Sequence, residues 1–145
     1  MGHDMLTQWI ENCALIRIGL RGGLTLNFDD DSELVITGPL RLTLPAVSEH
    51  AREAVRIDPL AVPDYERPLF DFSGATCTRA RVGDDGTLHL EFSGGNGIDV
   101  GADEHHAAWE LYGKRHGFMV CMPGGRVRVV RHDIEEPPVE VPGPR

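Results

Sequence analysis

The chain has few cysteines, and none of them is spaced to build a structural site. Its 145 residues include only Cys13, Cys77 and Cys121. An odd number at wide spacing does not suit a disulfide framework, and no Cys-x-x-Cys pair is present to hold zinc. We therefore interpret the three cysteines as small core residues, and the sequence predicts no cofactor.

The chain also lacks a long hydrophobic run and a basic leader. No stretch approaches the roughly 18 apolar residues that a membrane span requires. The first twelve residues, MGHDMLTQWIEN, contain acidic residues where a secretory signal would be basic. We therefore expect a cytoplasmic protein that does not bind membranes.

Basic residues are outnumbered by acidic ones. The chain has 14 Lys and Arg against 23 Asp and Glu, which gives a formal net charge of −9. Proteins that bind nucleic acid gain affinity by neutralising phosphates with basic side chains, so this balance argues against a nucleic-acid partner. The length suits a single domain that buries its own core.

Motifs for metal binding and catalysis are missing. His105 and His106 are adjacent, so they diverge on a strand or a helix and cannot chelate from one face. The acidic run DDDSE lacks the spacing of a calcium loop, and SGGNG is followed by neither Lys nor a helix start. No G-x-S-x-G elbow occurs. The sequence predicts no metal site, and both polar runs are interpreted as hairpin turns.

Two stretches of the chain resemble each other. GGLTLNFDDDSELVI begins at Gly22, and DGTLHLEFSGGNGIDV begins at Asp85. At an offset of 64 positions five apolar residues coincide: Leu24 with Leu88, Leu26 with Leu90, Phe28 with Phe92, Leu34 with Ile98, and Ile36 with Val100. Both stretches alternate as two strands around a polar turn, and each has another apolar strand before it. Each half therefore predicts a three-stranded meander, although two unrelated amphipathic hairpins would also share this period.

These patterns predict a mainly β protein. Two similar antiparallel meander halves, at about residues 12–45 and 75–131, are expected to pack as a sandwich or a split barrel. The segment PAVSEHAREAVRIDP at 45–59 predicts one short helix between them, because Val47, Ala51 and Val55 are spaced by four. A single domain is expected over 1–132, and the proline-rich acidic segment 133–145 is expected to be a mobile tail.

The segment from Asp103 to Val130 holds most of the chemically distinctive side chains. Alternation in AAWELY places Trp109 and Glu110 on opposite faces of a strand. Trp109 is interpreted either as a core residue or as a surface anchor for a partner. Residues 118–122 predict a strand, Pro123-Gly124-Gly125 a turn, and 126–131 a returning strand.

Charge is segregated within this same segment. From Leu111 to Arg131 there is no Asp or Glu, and the formal charge is +5, which leaves −14 for the rest of the chain. Arg126 and Arg128 are expected to project together from one face of the returning strand. These arginines either pair with the protein's own carboxylates or orient an acidic partner or a second copy of the chain.

The same segment resembles a known family. DGTLHLEF at Asp85, WEL at Trp109 and VCMPGG at Val120 resemble a domain-of-unknown-function family of small actinobacterial proteins, in which an AWEL block precedes a PGG hairpin. The resemblance covers roughly residues 12–131 and is most specific from Thr76 onward. It implies a shared fold and no assigned activity. The chain departs from that pattern at His105-His106, where an aromatic-acidic pair is usual, and at Val130, where an aromatic is common.

The function predicted from the sequence is that of a non-catalytic cytoplasmic protein-interaction module, of an immunity or regulatory type. A protein partner or self-association is expected. The predicted binding residues are Trp109, Glu110, Lys114, Arg126 and Arg128. The alternatives are an enzyme that uses His116, Glu110 or Cys121, and a small-ligand-binding protein with a site near Trp109, Glu110 and His116.

Overall fold

A computed structural model describes residues 9–49, 51–114 and 116–131. They form eleven strands, of which several alternate buried side chains with more exposed ones, as the period-2 pattern predicts. In chain order they are β1 (Leu15–Gly19), β2 (Leu24–Phe28), β3 (Ser32–Ile36), β4 (Leu40–Leu44), β5 (Glu53–Ile57), β6 (Cys77–Val82), β7 (Leu88–Phe92), β8 (Gly97–Val100), β9 (Trp109–Gly113), β10 (Gly117–Cys121) and β11 (Val127–Arg131). The mainly β fold class is thereby confirmed.

The strands form two antiparallel sheets. Sheet one has the order β1-β2-β3-β9-β10-β11, and sheet two has the order β5-β4-β8-β7-β6. Their inward side chains merge into one hydrophobic core that includes Leu26 and Leu34 from sheet one and Leu42 and Leu90 from sheet two. The arrangement is sandwich-like and is not a closed barrel.

The two predicted hairpins are confirmed, and they share one register. Leu24 pairs with Ile36 on β2 and β3, and Leu88 pairs with Val100 on β7 and β8. A β-bulge interrupts β1 after Leu15, and another interrupts β6 at the matching place after Cys77. Read from its β6 edge, sheet two has the order β6-β7-β8-β4-β5. Three consecutive strands come first, and the third pairs with a strand distant in sequence, which pairs in turn with its own successor. The order β1-β2-β3-β9-β10 in sheet one follows the same pattern.

The helix predicted over 45–59 is wrong. Residues 53–57 form β5, in which Val55 and Ile57 pair with Leu42 and Leu40 of β4. Three apolar side chains spaced by four would give a helix only a narrow apolar face to bury. The β-branched residues Val55 and Ile57, by contrast, pack well on the pleated surface of a sheet. The helical element that does lie between the halves is a 3₁₀ helix at Asp64–Leu69, which begins after Pro63 and contains Pro68.

None of the helical turns within the described ranges is long and apolar enough to cross a membrane. The segment 133–145, for which a mobile tail was predicted, lies outside the described residues.

Candidate functional site

The outer face of sheet one carries an apolar row across three adjacent strands. Tyr112 on β9 is the cross-strand partner of Phe118 on β10, and Phe118 is the partner of Val130 on β11. Tyr112 and Val130 keep 43% and 45% of their surfaces exposed. The rings of Tyr112 and Phe118 lie with centroids 4.9 Å apart. We call Tyr112, Phe118 and Val130 the apolar row.

A second row on the same face combines charges with a covered valine. Glu110, Val120 and Arg128 are successive cross-strand partners on β9, β10 and β11. Glu110 accepts a hydrogen bond from the Tyr112 hydroxyl, and this bond raises the pKa of Tyr112 to about 12 because it stabilises the protonated phenol beside a carboxylate. The bond also links the row of Glu110, Val120 and Arg128 to the apolar row.

Three of the predicted binding residues come together on this face. Arg126, just before β11, and Arg128 are both exposed, and alternation gives them the same outward direction as Val130. Neither arginine forms an ion pair with any residue in the described ranges. These two arginines therefore do not pair with carboxylates of the described residues, and Glu110 lies two strands from Arg128, on the other side of Val120.

The other two predicted binding residues lie elsewhere. Lys114 is exposed in the turn between β9 and β10. Trp109 is fully buried, and its indole N–H donates a hydrogen bond of 3.0 Å to the carbonyl of Gly86. Of the two interpretations of Trp109, the core residue is the one that the structure shows.

The residues of the enzyme alternative do not converge. Cys121 is buried on the inner face of β10, where desolvation raises the pKa of its thiol, whereas Glu110 points to the outer face of the same sheet. His116 stacks on Trp9 with ring centroids 5.4 Å apart, and its Nε2 lies 3.6 Å from Asp30 Oδ2. The three groups therefore do not form a joint catalytic arrangement.

The two polar runs form turns, as predicted. Asp31 has a φ of 72° at the β2–β3 turn, and the Asp30 carboxylate accepts hydrogen bonds of 3.0 Å from both the amide and the hydroxyl of Ser32.

The Asp103 carboxylate accepts hydrogen bonds from the amides of His105 and His106 at 2.7 and 3.0 Å, and these bonds lower the pKa of Asp103. Among the described residues no three His, Cys, Asp or Glu side chains group as metal ligands. The absence of bound zinc or calcium stays a prediction.

A second charged surface was not found from the sequence. The outer face of sheet two carries a row in register across five strands: Arg81, His89, Asp99, Arg41 and Arg56. His89 lies between two carboxylates, with Nδ1 at 2.5 Å from Asp99 and Nε2 at 2.8 Å from Glu91. These residues are scattered between positions 41 and 99, so only the strand register reveals that they are neighbours. They could have been found from the sequence by aligning the outward-facing positions of the predicted strands with one another.

This geometry favours the protonated form of His89. Partial desolvation lowers the pKa of His89, but the hydrogen bonds to Asp99 and Glu91 outweigh it, so the pKa lies above the usual 6.5. The hydrogen bond from His89 in turn lowers the pKa of Glu91. With both ring nitrogens occupied by carboxylates, His89 has no free nitrogen to act as a general base.

Comparison with known proteins gives a family and no activity. The family of unknown function DUF6188 matches residues 6–131. No curated protein and no solved structure matches the chain.

Proposed function

We propose that this chain, which belongs to the DUF6188 family, is a non-catalytic protein-interaction module that binds its partner through the outer face of sheet one. The observation that carries the proposal is the apolar row, because Tyr112 and Val130 are large exposed hydrophobic residues on either side of Phe118. A contiguous exposed apolar surface with a polar rim is typical of protein-binding sites.

The composition of this face also suits recognition of a protein. Aromatic residues and arginine are the types most enriched among residues that dominate binding energy. The face offers Tyr112 and Phe118 beside Arg128, which has no ion-pair partner among the described residues. The partner that fits has apolar side chains to cover the row and a carboxylate to meet Arg128.

The edge of sheet one adds a further means of contact. β11 is the outermost strand of this sheet in the described chain, and Val130 lies on it. An edge strand offers unpaired backbone groups, and exposed arginines on it discourage indiscriminate pairing. A charge-selected partner, or a second copy of the chain, can bind there without general aggregation.

Several finer expectations belong to the same proposal. An immunity or regulatory role, a cytoplasmic location and an actinobacterial family with an AWEL and VCMPGG block remain proposals. So does the origin of the two halves as an internal repeat, which the shared hairpin register and the matching bulges support.

The proposal is tested by differential capture from a native lysate. The parent chain, Val130→Glu and Val47→Glu are used as baits, because Val47 is a 62% exposed valine outside the face. A true partner is retained by the parent and by Val47→Glu, and is lost with Val130→Glu. Equal recovery by all three baits, or recovery of no protein above an unrelated bait, would overturn the proposal.

A further inference from the structure

Two arginines lie side by side on the outer face of sheet two. Arg41 on β4 is the direct cross-strand partner of Arg56 on β5, and both are exposed. Like charges placed directly opposite each other on a sheet repel. Within residues 9–49, 51–114 and 116–131, neither guanidinium has an ion pair or a hydrogen bond. The pair therefore places two positive charges, without an ion pair to either, at one position of the sheet.

The carboxylate best placed to neutralise Arg41 is already committed. Asp99 is the cross-strand partner of Arg41 on the other side, on β8. Its Oδ1, however, lies 2.5 Å from Nδ1 of His89, while His89 also meets Glu91 at 2.8 Å. Asp99 is thus hydrogen-bonded to His89 and not to Arg41, so both arginines can bind a ligand.

The arginine pair borders a cleft of about 480 Å³. Its lining also includes the exposed Pro39, the small residues Gly101 and Ala102, and the acidic residues Asp99 and Asp103. The Asp103 carboxylate accepts hydrogen bonds from the amides of His105 and His106. The cleft therefore combines two guanidinium groups with the apolar ring of Pro39, in a volume typical of small-molecule sites.

We propose that this cleft binds a small organic anion that carries a single phosphate or carboxylate group, held between Arg41 and Arg56. The planar guanidinium group matches the oxygens of either oxyanion with paired hydrogen bonds. The rest of the ligand packs against Pro39. The two aspartates in the lining select against polyanions such as nucleic acid, because each additional phosphate would approach a carboxylate. This site lies on the opposite sheet from the proposed protein interface and is independent of it.

The test uses the full ¹⁵N-labelled chain and two simple probes. Inorganic phosphate and acetate are titrated separately against sodium chloride at matched ionic strength, and amide shifts are followed by NMR. At least one probe is expected to give saturable shifts around Arg41, Arg56 and the 99–103 segment. Phosphate alone indicates a phosphorylated ligand, and acetate alone indicates a carboxylate.

Two double variants separate the cleft from the general field of the face. Arg41→Gln/Arg56→Gln is expected to weaken binding at least about tenfold, because both hydrogen-bonding cations are removed. Arg79→Gln/Arg81→Gln removes the same charge from the same face outside the cleft, and is expected to change the affinity less than about twofold. Absence of saturable shifts in the parent chain would overturn the proposal, whether or not any variant folds. An equal loss of affinity in both variants would also overturn it, because it would show diffuse attraction.

Discussion

Trp109 of β9 and Gly86 of the β6–β7 turn are joined by a hydrogen bond of 3.0 Å from the indole N–H to the glycine carbonyl. The bond connects sheet one to a turn of sheet two through the core. It satisfies the indole nitrogen, which is the only polar atom of this fully buried side chain. Leaving that nitrogen without a hydrogen-bond partner would cost about 1–3 kcal/mol of stability. Gly86 is packed closely at this point, because a Cβ there would lie 2.5 Å from the carbonyl oxygen of Gly125 and 2.9 Å from the Cys121 sulfur.

The first prediction concerns this close approach. Gly86→Ala is expected to destabilise the protein by about 1–3 kcal/mol more than Gly124→Ala, measured by chemical denaturation. The control is matched because Gly124 has the same φ of 87°, and a Cβ at Gly124 would have no other atom within 4 Å. Both substitutions therefore place an alanine at the same positive φ, and only Gly86→Ala adds a clash. Equal destabilisation would show that the turn relaxes and that packing against Gly125 is unimportant.

Most of the fold follows from alternation that is visible in the sequence. Leu24, Leu26 and Phe28 occupy every second position, and a one-residue shift would have turned all three to solvent. Glycine- and aspartate-rich turns then fixed the hairpins. The segment 53–57 was misjudged because Val47, Ala51 and Val55 fit a helical spacing while its strand partner, β4, is identifiable only from the tertiary pairing.

The candidate surfaces were only partly predictable, for a related reason. Glu110 on β9, Arg126 just before β11 and Arg128 on β11 belong to a run of three strands that are consecutive both in the sequence and in the sheet, so local alternation brought them to one face. Arg41 and Arg56 were missed because they become neighbours only through the β4–β5 pairing, and the segment of β5 was assigned to a helix. The further placement of Arg41 opposite Asp99 depends on the long-range β4–β8 pairing. Long-range register is not encoded in any single stretch of the chain.

The second prediction concerns pH. Because the folded-state pKa of His89 is raised above 6.5, its contribution to stability is present below pH 6.5 and is lost as pH rises through the folded value. The pKa of Glu91 is lowered below 4.5, so its contribution is present above pH 4.5 and is lost as pH falls through the folded value. The difference in free energy of unfolding between the parent and His89→Gln is therefore expected to be greatest between pH 4.5 and pH 6.5. A difference that does not change from pH 5 to pH 9 would show that the His89 network does not couple to folding.

The third prediction concerns thiol reactivity. Burial raises the pKa of Cys77 to about 12, and burial together with Asp30 raises that of Cys13 to about 11. At pH 8 a pKa of about 11 leaves only about one thiol in a thousand as the reactive thiolate. The native protein is expected to react slowly with a disulfide reagent, and all three thiols of the unfolded protein are expected to react quickly. Rapid modification of native Cys121 would contradict its inert role and would favour the enzyme alternative.

The fourth prediction concerns Arg126, just before β11, and Arg128 on β11. Arg126→Glu/Arg128→Glu is expected to slow association with the partner and to flatten its salt dependence, because exposed charges mainly steer encounter. The free energy of unfolding is expected to change by less than about 0.5 kcal/mol, because both side chains are exposed. Binding and a sedimentation profile equal to those of the parent, together with lowered thermal stability, would show that the arginines are structural.

The most direct test of the proposed interface is the dissociation constant of the captured partner, measured by titration with the parent chain and two variants. For Val130→Glu the dissociation constant is expected to rise at least about tenfold, because a charge would be buried among Tyr112, Phe118 and the partner's apolar side chains. For Val47→Glu, the same substitution at an exposed valine off the face, it is expected to change less than about twofold. Equal dissociation constants for the parent, Val130→Glu and Val47→Glu would contradict the assignment of the outer face of sheet one as the partner-binding surface.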